Sequence, residues 1–160
     1  MPPSIWTHRW NKGLSRAMMT TNPLLPSQNL YPGAIIHVDP GKDPVHTALS
    51  EIYQPPLPGF GPRGGDVDSA GVYWVSLASG HLGRFDRRHC KVLNGPTATG
   101  KHCPEGWTLY PLPGPQFKDV KGGGSAEGSY YVWTDRFDVM GLGKDTPFVM
   151  GNLKDRKSVV

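Results

Sequence analysis

The run Gly65–Arg88, GDVDSAGVYWVSLASGHLGRFDRR, constrains the fold more than any other part of the chain. Asp66, Asp68 and Ser69-Ala70-Gly71 supply turn chemistry, through short side chains that bond the nearby backbone and a glycine free to turn. Val72–Leu77, VYWVSL, is β-branched and aromatic, which predicts a strand. Ala78-Ser79-Gly80-His81 is a short turn. Leu82–Asp86 then alternates apolar and polar residues, a second strand folded back on the first. Over the whole chain, 21 Gly and 17 Pro among 160 residues interrupt the sequence too often for long helices. Five Trp, six Tyr and five Phe are rings that a chain carries to bury them. The prediction is an all-β fold. No apolar stretch is long enough for a membrane span.

The unit recurs in degraded form. Ala34–Pro40 matches Leu82–Arg87 in ending on an apolar residue and Asp. Ser50–Pro56 matches Trp107–Pro113. Trp6, Trp74 and Trp133 mark the corresponding place in three successive units, where an aromatic would pack between neighbours. A repeat of roughly 45–60 residues made of short strands points to a propeller or a similar array. Such a unit cannot cover both its faces alone and must stack on its neighbours. The expected fold is therefore a partial β-propeller: about two four-stranded antiparallel blades plus part of a third. The blade segments run over about 31–58, 65–115 and 128–153, within an incomplete domain spanning 1–154. Pro55–Gly65 and Pro111–Gly124 read as loops between blades. Asn11–Leu30 reads as an insertion in which Leu14–Thr21 could form a helical turn before Pro23 and Pro26 stop it.

The ends carry their own expectation. Ser4-Ile5-Trp6 looks like the middle of a strand. Residues 155–160, Asp-Arg-Lys-Ser-Val-Val, are what a common sequencing adapter encodes in one frame. The chain is thus expected to be an internal piece of a longer protein with a non-native tail.

The blade Gly65–Arg88 resembles blades of streptogramin-lyase-like and NHL-type propellers, in which an Asp-turn-Gly element leads to a Trp-bearing strand and a strand ending in Phe-Asp. Ser79–Leu82, Phe85–Arg88, His102–Tyr110 and Gly128–Tyr131 look most like a group of uncharacterised bacterial exported propeller proteins, labelled streptogramin-lyase-like or carboxypeptidase-regulatory-like. The resemblance covers about Tyr31 to Leu153. It implies an exported, periplasmic or secreted, propeller scaffold that binds a small molecule or a protein at its loop face. The alternative it implies is a C–O lyase opening a cyclic depsipeptide with Mg²⁺ and a His/Glu cluster. That chemistry needs a base near the α-proton and a cation on the carbonyl. The Glu-x-His pair that such lyases carry on one strand is missing: Glu51, Glu105 and Glu127 have no His two positions on. The fragment is read as non-catalytic, with no cofactor unless the lyase alternative holds for the parent.

Site residues follow from position. His81, at a strand-to-strand turn, Arg84 beside it and Arg63 on a Gly-rich loop are the candidate ligand contacts at a blade mouth, against the plainer possibility of solvated surface groups. Cys90 and Cys103 bracket an insertion and are expected to form a disulfide, worth about 3 kcal/mol for a loop of this size. Free thiols remain open, as does a zinc site with His89 and His102, although neighbouring strand residues point to opposite faces.

Three further patterns read as loop or surface. Gly95–Lys101 fits G-x-x-x-x-G-K, but His102-Cys103-Pro104 follows where a P-loop needs Ser or Thr and a helix. Asp66-x-Asp68 opens like a calcium loop, yet Ala70 and Leu77 occupy ligand positions. Arg84, Arg87, Arg88 and Lys91 form a short basic cluster in a chain of net charge +4, without the long stripe that nucleic-acid binding wants.

Overall fold

The computed structural model describes residues 33–116, 124–125 and 129–151, and the backbone of 5–9. Their strands form three antiparallel sheets. The first has the order β1 (Ile5–Arg9), β2 (Ala34–Asp39), β3 (Leu49–Tyr53). The second is a four-stranded meander of β4 (Pro62–Val67), β5 (Tyr73–Leu77), β6 (His81–Phe85) and β7 (Trp107–Pro111). The third pairs β8 (Ser129–Asp135) with β9 (Thr146–Gly151). Helix is confined, among the described residues, to α1 (Pro44–Thr47) and two 3₁₀ turns, Arg87–His89 and Pro104–Gly106. The all-β expectation holds.

Alternation along the strands decides which side chains meet. Tyr73 pairs with Phe85 and Phe85 with Trp107, while Val75 opposes Gly83 and Gly83 opposes Leu109. That face of the second sheet meets Ile35 and Tyr53 of the first in one core cluster. The opposite face carries Trp74, Leu82 and Arg84. There Leu82 packs with Val132 and Val149 of the third sheet, with Trp74 and Leu112 against them. The four-stranded sheet is thus covered on both faces. Ring contacts tighten the first junction: Tyr53 lies 4.6 Å from Phe85, and Phe85 lies 4.9 Å from Trp107, both tilted. Burying such rings contributes roughly 1.5–3 kcal/mol each by area.

The two outer faces differ from the covered ones. Tyr131 pairs with Met150 and Trp133 with Phe148 across β8 and β9. Tyr131, Trp133 and Met150 are 62%, 48% and 56% exposed. On the first sheet Ile36 opposes Ile52, and Ile52 is 45% exposed.

Several expectations are revised. The Gly-rich run before Asp66 is not a loop throughout: Pro62–Val67 forms β4, an edge strand beginning on proline. Its glycines let other backbones come close. A Cβ on Gly65 would strike the Trp74 carbonyl and the Tyr73 ring, and one on Gly64 would strike Tyr131. Trp74 packs between two sheets as expected, its indole N–H donating to Asp68 at 3.0 Å. Trp133 instead looks outward, 5.3 Å from Phe148. Trp6 lies on β1. Asn11–Leu30 and the tail from 155 to 160 lie outside the described residues.

Candidate functional site

The three residues singled out for ligand contact are held in the fabric of the sheets. Arg63, on β4, donates to the Ser129 carbonyl at 3.1 Å and stacks its guanidinium 4.2 Å from the Tyr130 ring centre. It ties the second sheet to the third. His81 is buried, not solvated at a mouth, and its Nδ1 lies 3.0 Å from Ser79 Oγ. Arg84 bonds Asp86 at 3.3 Å and sits 5.9 Å from the Trp74 ring. Strand alternation puts His81 and Arg84 on opposite faces of β6, so they do not converge.

A polar seam runs through the junction of the first two sheets. The Glu51 carboxylate, buried on β3, takes both prongs of Arg87: Nε to Oε2 and Nη2 to Oε1, each at 2.6 Å. The Tyr53 hydroxyl donates to the same Oε2 at 2.8 Å, and His37 Nδ1 lies 3.1 Å away. Burial pushes the Glu51 carboxyl upward. The bonds from Arg87, Tyr53 and His37 outweigh it and leave the group below the usual carboxylate range. Burial and the Glu51 charge push the Tyr53 hydroxyl up. A His and a Glu do meet in this chain, across β2 and β3 at the pair His37 and Glu51. Glu51 is nevertheless an ionised anchor with both oxygens engaged, not a poised base.

Beside it, Asp86 collects the neighbouring cations. It accepts from the Arg88 side chain at 2.8 and 2.7 Å and from the Arg88 amide at 3.1 Å. The Arg88 bonds draw its carboxyl down to about 2 against the opposing effect of burial. The basic cluster read from sequence is therefore largely matched by carboxylates: Arg84 and Arg88 to Asp86, and Arg87 to Glu51.

A run of exposed apolar residues among the described ones was not among the sequence-derived candidates. Between β8 and β9 the loop 136–145, RFDVMGLGKD, presents Phe137, Val139, Met140 and Leu142 at 86%, 73%, 56% and 58% exposure. The loop is braced from within. Asp135 accepts from the Val139 and Met140 amides at 3.0 and 2.8 Å, and Asp138 accepts from the Gly143 amide at 2.8 Å. Asp138 and Asp145 hold left-handed backbone, at φ 55° and 66°, a conformation that Asp tolerates better than most residues. Ser69, in the β4–β5 turn, donates its amide to Asp145 at 2.8 Å. A shallow cleft of about 500 Å³ lies there, lined by Ser69, Arg136, Phe137, Asp138 and Lys144. Four large apolar residues in a run broken by Gly and Asp were the available sequence signal.

Cys90 and Cys103 form a disulfide with Cα atoms 5.0 Å apart. No thiolate is left for zinc. The segment 95–101 is turn and bend, followed only by the 3₁₀ turn at Pro104, so no P-loop helix forms. Asp66 accepts from the Thr134 amide at 2.9 Å, and Asp68 from Ala70, Val72 and Trp74. Both oxygens of each serve the fold. Among the described residues no helix is long and apolar enough to cross a membrane.

Comparison with protein-family models, curated proteins and solved structures found no match to this chain.

Proposed function

We propose that the chain is a non-catalytic segment of an exported, propeller-type scaffold that presents loops to a binding partner. One observation carries this: the four-stranded sheet is covered on both faces by other sheets, while the outer faces of those sheets remain apolar. Stacked repeats have this property, because each face is completed by the next unit. The buried charges support it too. Glu51–Arg87, Arg63 with the Ser129 carbonyl, and Asp66 with the Thr134 amide each join one sheet to another. They serve stacking rather than chemistry. The disulfide suits an oxidising compartment.

Sedimentation equilibrium of the full chain tests the stacking. Concentration-dependent association that Trp133→Lys weakens is the expected result, since the lysine would be placed on the outward face of the third sheet. A species that stays monomeric at every concentration, with a sharp thermal transition, would overturn the reading.

A further inference from the structure

We infer that Asn94 is a site of spontaneous modification, at which the side-chain amide is lost as ammonia and the residue becomes aspartate or isoaspartate. The inference is independent of the scaffold reading. It starts from Asn94-Gly95, the one place in the chain where an asparagine precedes a glycine; Asn11, Asn22, Asn29 and Asn152 precede Lys, Pro, Leu and Leu.

The chemistry needs only water. The backbone nitrogen of Gly95 attacks the side-chain carbonyl carbon of Asn94. The new N–C bond closes a five-membered succinimide, and the side-chain nitrogen leaves as ammonia with the proton of the attacking amide. Water then opens the ring at either carbonyl. One opening gives aspartate; the other routes the main chain through the former side chain and gives isoaspartate. One ammonia is released and one water consumed, and nothing is oxidised or reduced. Glycine favours the attack, because it has no side chain to crowd the nitrogen and reaches backbone angles closed to other residues.

The fold leaves this pair open to the attack. Asn94 and Gly95 are both exposed. Gly95 sits at φ 98°, and a Cβ there would meet nothing within 4 Å. Among the described residues neither the Asn94 carboxamide nor the Gly95 amide makes a hydrogen bond. The turn bond at this place uses the other end of the residue: the Gly95 carbonyl accepts from the Ala98 amide at 3.0 Å. Both reacting groups are thus unengaged. Gly100, in the same loop, is the contrast. It is buried, its carbonyl accepts from the Gln54 amide at 2.7 Å, and its amide donates to His102 Nδ1 at 3.2 Å. The loop is pinned at Gly100 and free at Asn94. The Cys90–Cys103 bridge closes around both, so the modified segment stays tethered. Each event turns a neutral side chain into a carboxylate and lowers the net charge of +4 by one.

The test is incubation of the full chain at neutral pH and physiological temperature, in ordinary and in heavy-oxygen water, followed by peptide mapping by mass. The peptide holding Asn94 should gain about 1 Da in ordinary water and about 3 Da in heavy-oxygen water, as covalent replacement of the amide by one water oxygen requires. It should split into two products, aspartate and isoaspartate. Peptides holding the other four asparagines should lag behind it. Gly95→Ala should convert severalfold more slowly, and Asn94→Gln, whose longer side chain would close a six-membered ring, should stay unconverted. The folded chain and the chain in urea should convert at similar rates. Conversion more than about tenfold slower in the fold would show a segment that must first open, and would overturn the inference. So would an unchanged mass at Asn94, conversion no faster than at Asn152, aspartate as the sole product, or a rate indifferent to Gly95→Ala.

Discussion

Arg87 grips Glu51 with both ends of its guanidinium, 36 positions away in sequence, and joins the second sheet to the first. The fork geometry matches a carboxylate two bonds at a time, which a lysine cannot do. Removing Arg87 leaves a buried carboxylate with only Tyr53 and His37. Breaking a buried pair costs about 3–5 kcal/mol when both partners are enclosed. The Arg87 side chain is 32% exposed, so Arg87→Ala should cost somewhat less, about 2–3 kcal/mol in urea unfolding. Arg88→Ala, on an arm that is 63% exposed, should change stability far less. Equal losses from the two would show that the Glu51 pairing carries no special weight.

Stability should fall at both the acid and the alkaline end of the pH range. Asp86 is drawn down to about 2 and Glu51 is also lowered. Groups depressed in the fold stabilise it when ionised. That contribution is complete above about pH 5 and is lost as the pH falls toward the folded values. Tyr73 moves the other way: burial, then the Asp66 charge, push it up to about 12. Its neutral form suits the fold, so stability drops as pH rises past about 10. Urea midpoints measured across pH check both flanks. Asp86→Asn should shallow the acid flank and Tyr73→Phe the alkaline one. An unchanged slope in either variant removes that group from the account.

The Cys90–Cys103 bridge closes a loop between residues separated by 13 positions. A loop of that size restricts the unfolded chain by about 3 kcal/mol. Cys103 is fully buried within the first core cluster, so Cys90→Ala/Cys103→Ala adds a small packing loss. The double variant should unfold at lower urea than the oxidised protein. Reductant should lower the parent and leave the variant unmoved. A parent indifferent to reductant would contradict a stabilising bridge.

The elements that showed in the sequence were those whose signal is local. Tyr73–Leu77 and His81–Phe85 declare themselves by β-branched and aromatic residues either side of a Gly turn. β4 was hidden because Pro62, Gly64 and Gly65 read as loop. These glycines are there to let Tyr131 and Trp74 approach the strand. The polar seam was hidden for a different reason. Glu51, Arg87, Tyr53 and His37 meet only once two sheets stack, and no spacing along the chain encodes that. His81 looked solvated because it ends a turn. Ser79 Oγ and the backbone of Ser125 close over that corner. The disulfide was legible because it depends on two cysteines and one loop.

That corner supplies the sharpest stability test. Gly80 turns the β5–β6 hairpin at φ 75°, in the left-handed region that favours glycine. Its carbonyl accepts from the Leu112 amide and from the Ser125 amide, each at 3.0 Å. The Gly124 amide reaches the Ser79 carbonyl at 3.1 Å. These bonds clasp the chain beyond β7 onto the hairpin. A Cβ on Gly80 would collide with the backbone of Ser125, and one on Gly124 with the backbone of Gly80. Neither can be relieved by rotating a side chain, so the clasp must open. Gly80→Ala should therefore cost about 2–4 kcal/mol, the range of strained or overpacked backbone sites. Gly71→Ala is the control. It shares positive φ, at 81°, but faces open space, and should cost about 1 kcal/mol from conformation alone. Urea unfolding gives the totals. Amide exchange at Leu112 and Ser125 locates the damage, and it should quicken in Gly80→Ala but not in Gly71→Ala. Matching losses, with exchange unaltered at Leu112 and Ser125, would mean that the contact with Ser125 does not restrain this turn.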